Sequence, residues 1–390
     1  MALDLEQTLK DLVALPSVNP MHGEPGPECL ESRVTDYLQS TFEGLGLPWA
    51  RQEVAPGRDN FFARLDGDPG SVLLLEAHQD TVPVDGMTIP PFEPTVRDGR
   101  LYGRGACDVK GGMASMIGAM AQLKEAPPDG MPTIVFAGSV NEEHGFDGAA
   151  AFDAYWKHTD LVPRKPDLAI VAEPTALNVV VAHKGQVRWR AHTSGVAVHS
   201  AQPERGVNAI YRMSRVIRSI ERWANEVAPT LGEDPMCGRT TLSVGTIAGG
   251  IGVNVVPAHC VIEIDVRVLP GDDPEAVRRH VIEHVADDPD VPFDVDHDDP
   301  FLIGLPLAAR GNEVLARRLV EAIREETGSG EAIAVPFGTD AAQFAADGIP
   351  SVVFGPGSIE QAHTKDEWIE VRQLAIARDA LCKAVVGLRG

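Results

Sequence analysis

The run Val72-Leu73-Leu74-Leu75-Glu76-Ala77 ends in His78-Gln79-Asp80. A short stretch rich in Val and Leu is the pattern of a strand buried on both faces, and an ionisable triplet directly after it puts chemistry at the strand's carboxyl end. Three further runs repeat the arrangement. Thr133–Val140 leads into Asn141-Glu142-Glu143-His144, Leu168–Ala172 into Glu173-Pro174-Thr175, and Ser351–Phe354 into Gly355-Pro356-Gly357 and then His363. Helical periodicity fills intervals at Met113–Leu123, Ala149–Trp156, Asn312–Glu326, Asp340–Ala346 and Leu374–Val386. Strand and helix in alternation predict an α/β fold with a mostly parallel sheet, whose ligands gather at the carboxyl ends of the strands.

The middle of the chain has another rhythm. Gln186–Thr193 alternates, Val207–Val227 is helical, Thr241–Ala248 and Cys260–Val268 alternate, Pro274–Ala286 is helical, and Pro292–His297 is a short strand. The order β-α-β-β-α-β is ferredoxin-like. It predicts an inserted domain over 184–298, with the catalytic domain formed by 1–183 and 299–390.

Composition narrows the class. A chain of 390 residues, 44% hydrophobic and 23% charged, is ample for two compact domains at roughly 100–200 residues each. Its 34 basic and 57 acidic residues leave a formal net charge of −23, which disfavours nucleic acid and anionic membrane partners. Five scattered cysteines without a CxxC pair point to a reducing compartment, and the acids Asp4 and Glu6 do not suit a signal peptide. A cytoplasmic protein is expected.

The polar segments converge. The glycine-rich turn Tyr102-Gly103-Arg104-Gly105-Ala106-Cys107-Asp108 leads into a helix and brings a fifth segment to the same sheet edge. Singly, Asp108 reads as a helix cap and Glu142-Glu143 as a solvated turn. Together, carboxylates at one buried edge repel unless a cation neutralises them. Two imidazoles and three or four carboxylates without a thiolate suit zinc, cobalt or manganese, and are enough for two ions that share a bridging carboxylate.

These runs, with Ala362-His363-Thr364-Lys365-Asp366-Glu367, resemble the dinuclear-zinc aminoacylase and carboxypeptidase superfamily across essentially the whole chain. The group holds acetylornithine deacetylase, succinyl-diaminopimelate desuccinylase, aminoacylase and glutamate carboxypeptidase. The resemblance implies Zn2+, two per chain, with Asp108 bridging, His78 and Glu173 on one ion, and Glu143 and His363 on the other. It further implies Glu142 as general base and acid, Asp80 as the partner that orients His78, and a cis peptide after Asp108. The implied activity is hydrolysis of the amide bond of a small-molecule N-acyl amino acid, most like N-acetylornithine in arginine biosynthesis. Desuccinylation or dipeptide hydrolysis is the alternative, and a non-catalytic metal- or peptide-binding module the reading from another class.

The insert resembles the family's lid and dimerisation domain, which implies a homodimer. Its Gly195–Pro203 segment carries His199, whose counterpart in the family reaches a partner's active site; Asn254 and Arg267 resemble substrate-carboxylate contacts. Arg267 also lies on the polar face of an alternating strand with Glu263 and Asp265, where a plain surface ion pair is the alternative to a substrate contact. His280-Val281-Ile282-Glu283-His284 matches HxxEH, but Val277, Val281 and Val285 make the helix's apolar stripe and the two histidines flank it. Gly103–Gly112 has the spacing of neither a P-loop nor a dinucleotide fingerprint.

Overall fold

The computed structural model describes residues 3–21, 23–386 and 388, so Met1 and Ala2 lie outside it. Two compact units divide the described residues: those up to Val181, Ala308–Ile333 and those from Thr339 onward form the larger, and Ala182–Leu307 with Ala334–Gly338 the smaller.

An eight-stranded sheet runs in the order Trp49–Ala55, Arg58–Leu65, Pro132–Ser139, Asp68–His78, Leu168–Val171, Ser351–Val353, Val179–His183 and Ala332–Val335. The four strands Pro132–Ser139, Asp68–His78, Leu168–Val171 and Ser351–Val353 pair in parallel. They are the apolar runs of the sequence, and Pro132–Ser139 and Leu168–Val171 are buried at every position. The expected mostly parallel sheet is therefore this central part, while the flanks are antiparallel. One flank has a local cause: only Pro56-Gly57 separates Trp49–Ala55 from Arg58–Leu65, and a two-residue connection with Gly57 at φ 76 permits only a hairpin.

The helix Gly111–Glu125 is buried on nearly all sides, as its scarcity of charge requires. Helix Leu5–Val13 turns Leu5, Leu9, Leu12 and Val13 inward, and its first turn is capped by Asp4, whose carboxylate accepts from Gln7 N–H at 3.1 Å. No helix among the described residues is long and apolar enough to cross a membrane.

The smaller unit has the element order read from the sequence. Its sheet runs Thr241–Gly249, His259–Val268, Gly185–Ser194, Asp296–His297, and Leu302–Gly304 also pairs with Gly185–Ser194. Alternate residues Val187, Trp189 and Ala191 with Ile262, Ile264 and Val266 form one core with Met213, Val216 and Ile220 of the helix Ala209–Arg222 and Val277, Val281 and Val285 of the helix Pro274–Ala286. His280 lies edge-on to Trp223, with ring centroids 5.9 Å apart. Among the described residues, neither His280 nor His284 joins a group that could hold a metal ion.

Close approach governs the segment that leads to Glu142. Gly148 N–H donates to Val140 O at 3.0 Å, and a Cβ on Gly148 would lie 2.4 Å from both Val140 N and Val140 O. Gly148→Ala should therefore cost about 1–3 kcal/mol in chemical denaturation. Gly44→Ala, at a helix position where nothing lies within 4 Å, should be neutral or slightly stabilising. Equal midpoints for the two variants would refute this close approach.

Candidate metal and active site

His78 closes the central strand Asp68–His78, and Asp108 sits in the single wide turn Ala106–Lys110 ahead of the buried helix. Glu142 and Glu143 follow Pro132–Ser139, Glu173 follows Leu168–Val171, and His363 lies in the loop after Ser351–Val353. Parallel strands end on the same side of a sheet, so five distant segments meet. His78 Nε2 is 3.2 Å from Asp108 Oδ1, and His363 Nε2 is 3.2 Å from both Asp108 Oδ2 and Glu143 Oε2. Glu173 Oε1 stands 4.0 Å from His78 Nε2. Two groups offer ligand atoms that all lie within 4.8 Å of one another: His78 with Glu142 and Glu173, and His78 with Asp108 and Glu143.

The electrostatics show what this costs. Burial lifts the carboxyls of Glu142 and Glu173 well above their ordinary range, and neighbouring carboxylates add to the lift. Burial also lifts Glu143. For His363 burial favours the neutral ring, but Asp108 and Glu143 outweigh it and raise the imidazole to about 11. Burial opposes ionisation of Asp108 as well, yet the two imidazoles hold it below the usual carboxylate range. The cluster recruits positive charge wherever it can. Glu143 Oε1 is buried and meets no hydrogen-bond partner among the described residues. A set of imidazole nitrogens and carboxylate oxygens without thiolate, with an orphaned carboxylate oxygen inside it, fits divalent zinc, cobalt or manganese.

Surrounding groups fix the loops. Glu367 Oε1 accepts from the N–H groups of Cys107 and Asp108 at 2.9 and 3.0 Å, while Arg104 Nη1 donates to its Oε2 at 2.6 Å. The Asp108-Val109 peptide is cis, as the resemblance implies. His78 Nδ1 is 3.0 Å from the backbone oxygen of Asp80 and 3.5 Å from its carboxylate. That carboxylate accepts from Glu142 N–H at 3.1 Å, Glu143 N–H at 3.2 Å and Asn19 Nδ2 at 2.7 Å. Behind His78, Ser139 Oγ lies 2.6 Å from Glu76 Oε1 and 2.8 Å from Asp340 Oδ2.

Sequence reasoning assigned no role to Asn19, Glu76, Glu367 or Asp340. Glu367 stood inside a quoted motif; Asn19 reaches partners 61 and 122 residues away, a separation no local pattern signals.

The remaining expected residues belong to the smaller unit. His199 is exposed, and its Nδ1 accepts from Ala201 N–H at 3.1 Å, so the neutral ring carries its proton on Nε2. Asn254 is exposed in the hairpin that follows Thr241–Gly249. Arg267 is paired with Asp265, which also accepts from Arg188 Nε at 3.0 Å.

The model of the peptidase family M20/M25/M40 matches residues 74–386. An acetylornithine deacetylase of Myxococcus xanthus is 31% identical over 397 residues, covering 99% of this chain and 98% of that protein. An M20 family metallo-carboxypeptidase of Sulfolobus solfataricus superposes with a TM-score of 0.78 at 18% identity, over 98% of this chain and 99% of the other. A dinuclear metal binding peptidase of the M20 family from Bacillus subtilis gives 0.69 at 18% identity, over 98% and 96%. A match over residues 74–386, most of the chain, makes this protein a member of peptidase family M20/M25/M40.

Proposed function

We propose that the protein hydrolyses the amide bond of an N-acyl amino acid, with N-acetylornithine as the first substrate to test. The observation that carries the reading is Asp108, whose Oδ1 lies 3.2 Å from His78 Nε2 and whose Oδ2 lies 3.2 Å from His363 Nε2, with Glu142 beside Glu143 in a neighbouring turn. Near-full-length similarity to an acetylornithine deacetylase supports the substrate class.

In this reading His78 and Glu173 would hold one zinc ion and Glu143 and His363 a second, with Asp108 available to both. Bound there, the ions supply Lewis acidity that brings water into nucleophilic form near neutral pH. Glu142 takes a proton from the attacking water as the new C–O bond forms at the acyl carbonyl. It returns that proton to the amine as the C–N bond breaks, so the carboxyl ends as it began. The burial that raises Glu142 suits a group that must both accept and give a proton. His199, with its proton on Nε2, donates to the tetrahedral oxyanion. Asn254 and Arg267 bind the substrate's carboxylate.

The partner is a second copy, and His199 acts across the dimer. The exposed strand Thr241–Gly249 pairs on one side only, and Tyr211, Ile251 and Val253 beside it are exposed apolar residues. An open strand edge with apolar neighbours suits a self-complementary interface. Five unpaired thiols suit a cytoplasmic setting.

Three outcomes are expected. Metal analysis should find about two ions per chain, and full activity with at most one ion, insensitive to added zinc, would remove the dinuclear reading. Against a panel of N-acetylornithine, N-succinyl-diaminopimelate, other N-acyl amino acids and dipeptides, Glu142→Gln should retain metal and lose turnover by roughly 10²–10⁴-fold. Unchanged turnover would strip Glu142 of its role. Inactive His199→Ala and Glu142→Gln chains, unfolded and reassembled together, should regain activity in heterodimers holding one complete site; verified heterodimers without activity would end the proposal that His199 acts in trans.

A further inference from the structure

The segment Ser17–Asn19 runs alongside the turn that follows the His78 strand. Thr81 N–H donates to Ser17 O at 3.0 Å and Asn19 N–H donates to Thr81 O at 2.8 Å, which fixes the backbone of Asn19 against His78-Gln79-Asp80. The residue is 1% exposed, so its amide must find every partner inside the protein.

It does so. Nδ2 donates to Asp80 Oδ2 at 2.7 Å and to Asn141 Oδ1 at 2.8 Å, while Oδ1 accepts from Met21 N–H at 2.9 Å. Only one orientation satisfies this set, because a flipped amide would press its oxygen against a carboxylate and its NH₂ against an N–H donor. Asn141 is itself held firmly. Its Oδ1 also accepts from Arg58 Nη1 at 2.9 Å, its Nδ2 donates to Asp147 at 2.5 Å, and its N–H donates to Glu31 Oε1 at 3.3 Å. Its backbone is left-handed at φ 64, a conformation asparagine adopts more readily than most residues.

The Asp80 carboxylate stands between this scaffold and the chemistry. Oδ1 takes Glu142 N–H and Oδ2 takes Glu143 N–H, so one side chain anchors two consecutive residues of the turn. Without the Asn19 donor, Oδ2 would keep only the longer bond from Glu143, and the carboxylate could rotate away from both N–H groups.

We infer that Asn19 is a positioning residue: through Asp80 it fixes the turn that presents Glu142 and Glu143. The inference rests on the reading of Glu142 as the base, and deepens it. Displacing a reacting group by about 1 Å can cost 10²-fold in rate, and losing an outer partner of a metal ligand typically costs 10–100-fold.

The test compares wild type with Asn19→Ala, Asn19→Asp, Asp80→Asn and the double variant Asn19→Ala/Asp80→Asn, with Glu142→Gln alongside. On metal-free protein, hydrogen exchange of a peptide covering residues 140–146 should quicken at least about tenfold in Asn19→Ala, while a peptide covering 104–110 keeps its rate. On zinc-loaded protein, kcat should fall roughly 10–100-fold with little change in KM or zinc content. Asn19→Asp, which preserves shape but sets a carboxylate against Asp80, should be worse than Asn19→Ala; a packing role would reverse that order. The double variant should lose no more than Asp80→Asn alone, since both act through one carboxylate. Unaltered exchange, or losses that multiply in the double variant, would overturn the inference. Should Asn19→Ala not fold, Asn19→Asp carries the same measurements. If Glu142→Gln keeps full turnover, the base assignment falls, while quickened exchange still establishes that Asn19 holds the turn.

Discussion

Negative charge gathered where water is scarce is the constraint on which the rest of this structure depends. Asp108, Glu142 and Glu173 are buried together, with Glu143 beside them, and among the described residues His78 and His363 stand against them as groups able to turn positive. Such a cluster is unfavourable by itself: burial pushes Glu142, Glu143 and Glu173 up, while Asp108, held down by the two imidazoles, draws His78 and His363 toward the charged form. The same imbalance makes the site receptive to divalent cations.

Holding that arrangement requires rigid loops, and the protein uses one device twice. A buried carboxylate gathers two successive backbone N–H groups: Glu367 does so for Cys107 and Asp108, Asp80 for Glu142 and Glu143. Each carboxylate is then held by a donor from a remote segment, Arg104 in one case and Asn19 in the other. The acids of the cluster are thus placed by acids outside it, and the strand ends supply only a first approximation of where each group stands.

This division explains what could be read from sequence. The central strands were legible because burial on both faces leaves few places for polar residues, so Val72–Ala77 and Thr133–Val140 stand out as apolar runs. Trp49–Ala55 and Arg58–Leu65 escaped because residues such as Arg51, Glu53 and Arg58 break the apolar pattern on a flank of the sheet. The residues of the cluster were legible because each directly follows such a run or sits in a recognisable motif. Asn19, Glu31 and Arg58 were not, since their meaning lies in hydrogen bonds across tens of residues and an asparagine in a turn has an adequate local explanation. The alternating strands of the smaller unit were plain for the opposite reason to the central ones: one face is packed and the other wet.

Ser139 has a consequence for how the molecule's charge is counted. Its single hydroxyl hydrogen lies between two carboxyl groups, at 2.6 Å from Glu76 and 2.8 Å from Asp340, and can be given to only one. The other contact attracts only if that carboxyl carries a hydrogen of its own. Burial raises both carboxyls, Glu76 well above the ordinary range and Asp340 to about 6, which favours keeping one hydrogen on the pair. The three form a short hydrogen-bonded chain in the interior. The formal net charge of −23 counts every carboxyl as ionised, so a hydrogen kept on this buried pair makes the charge here less negative than composition announces.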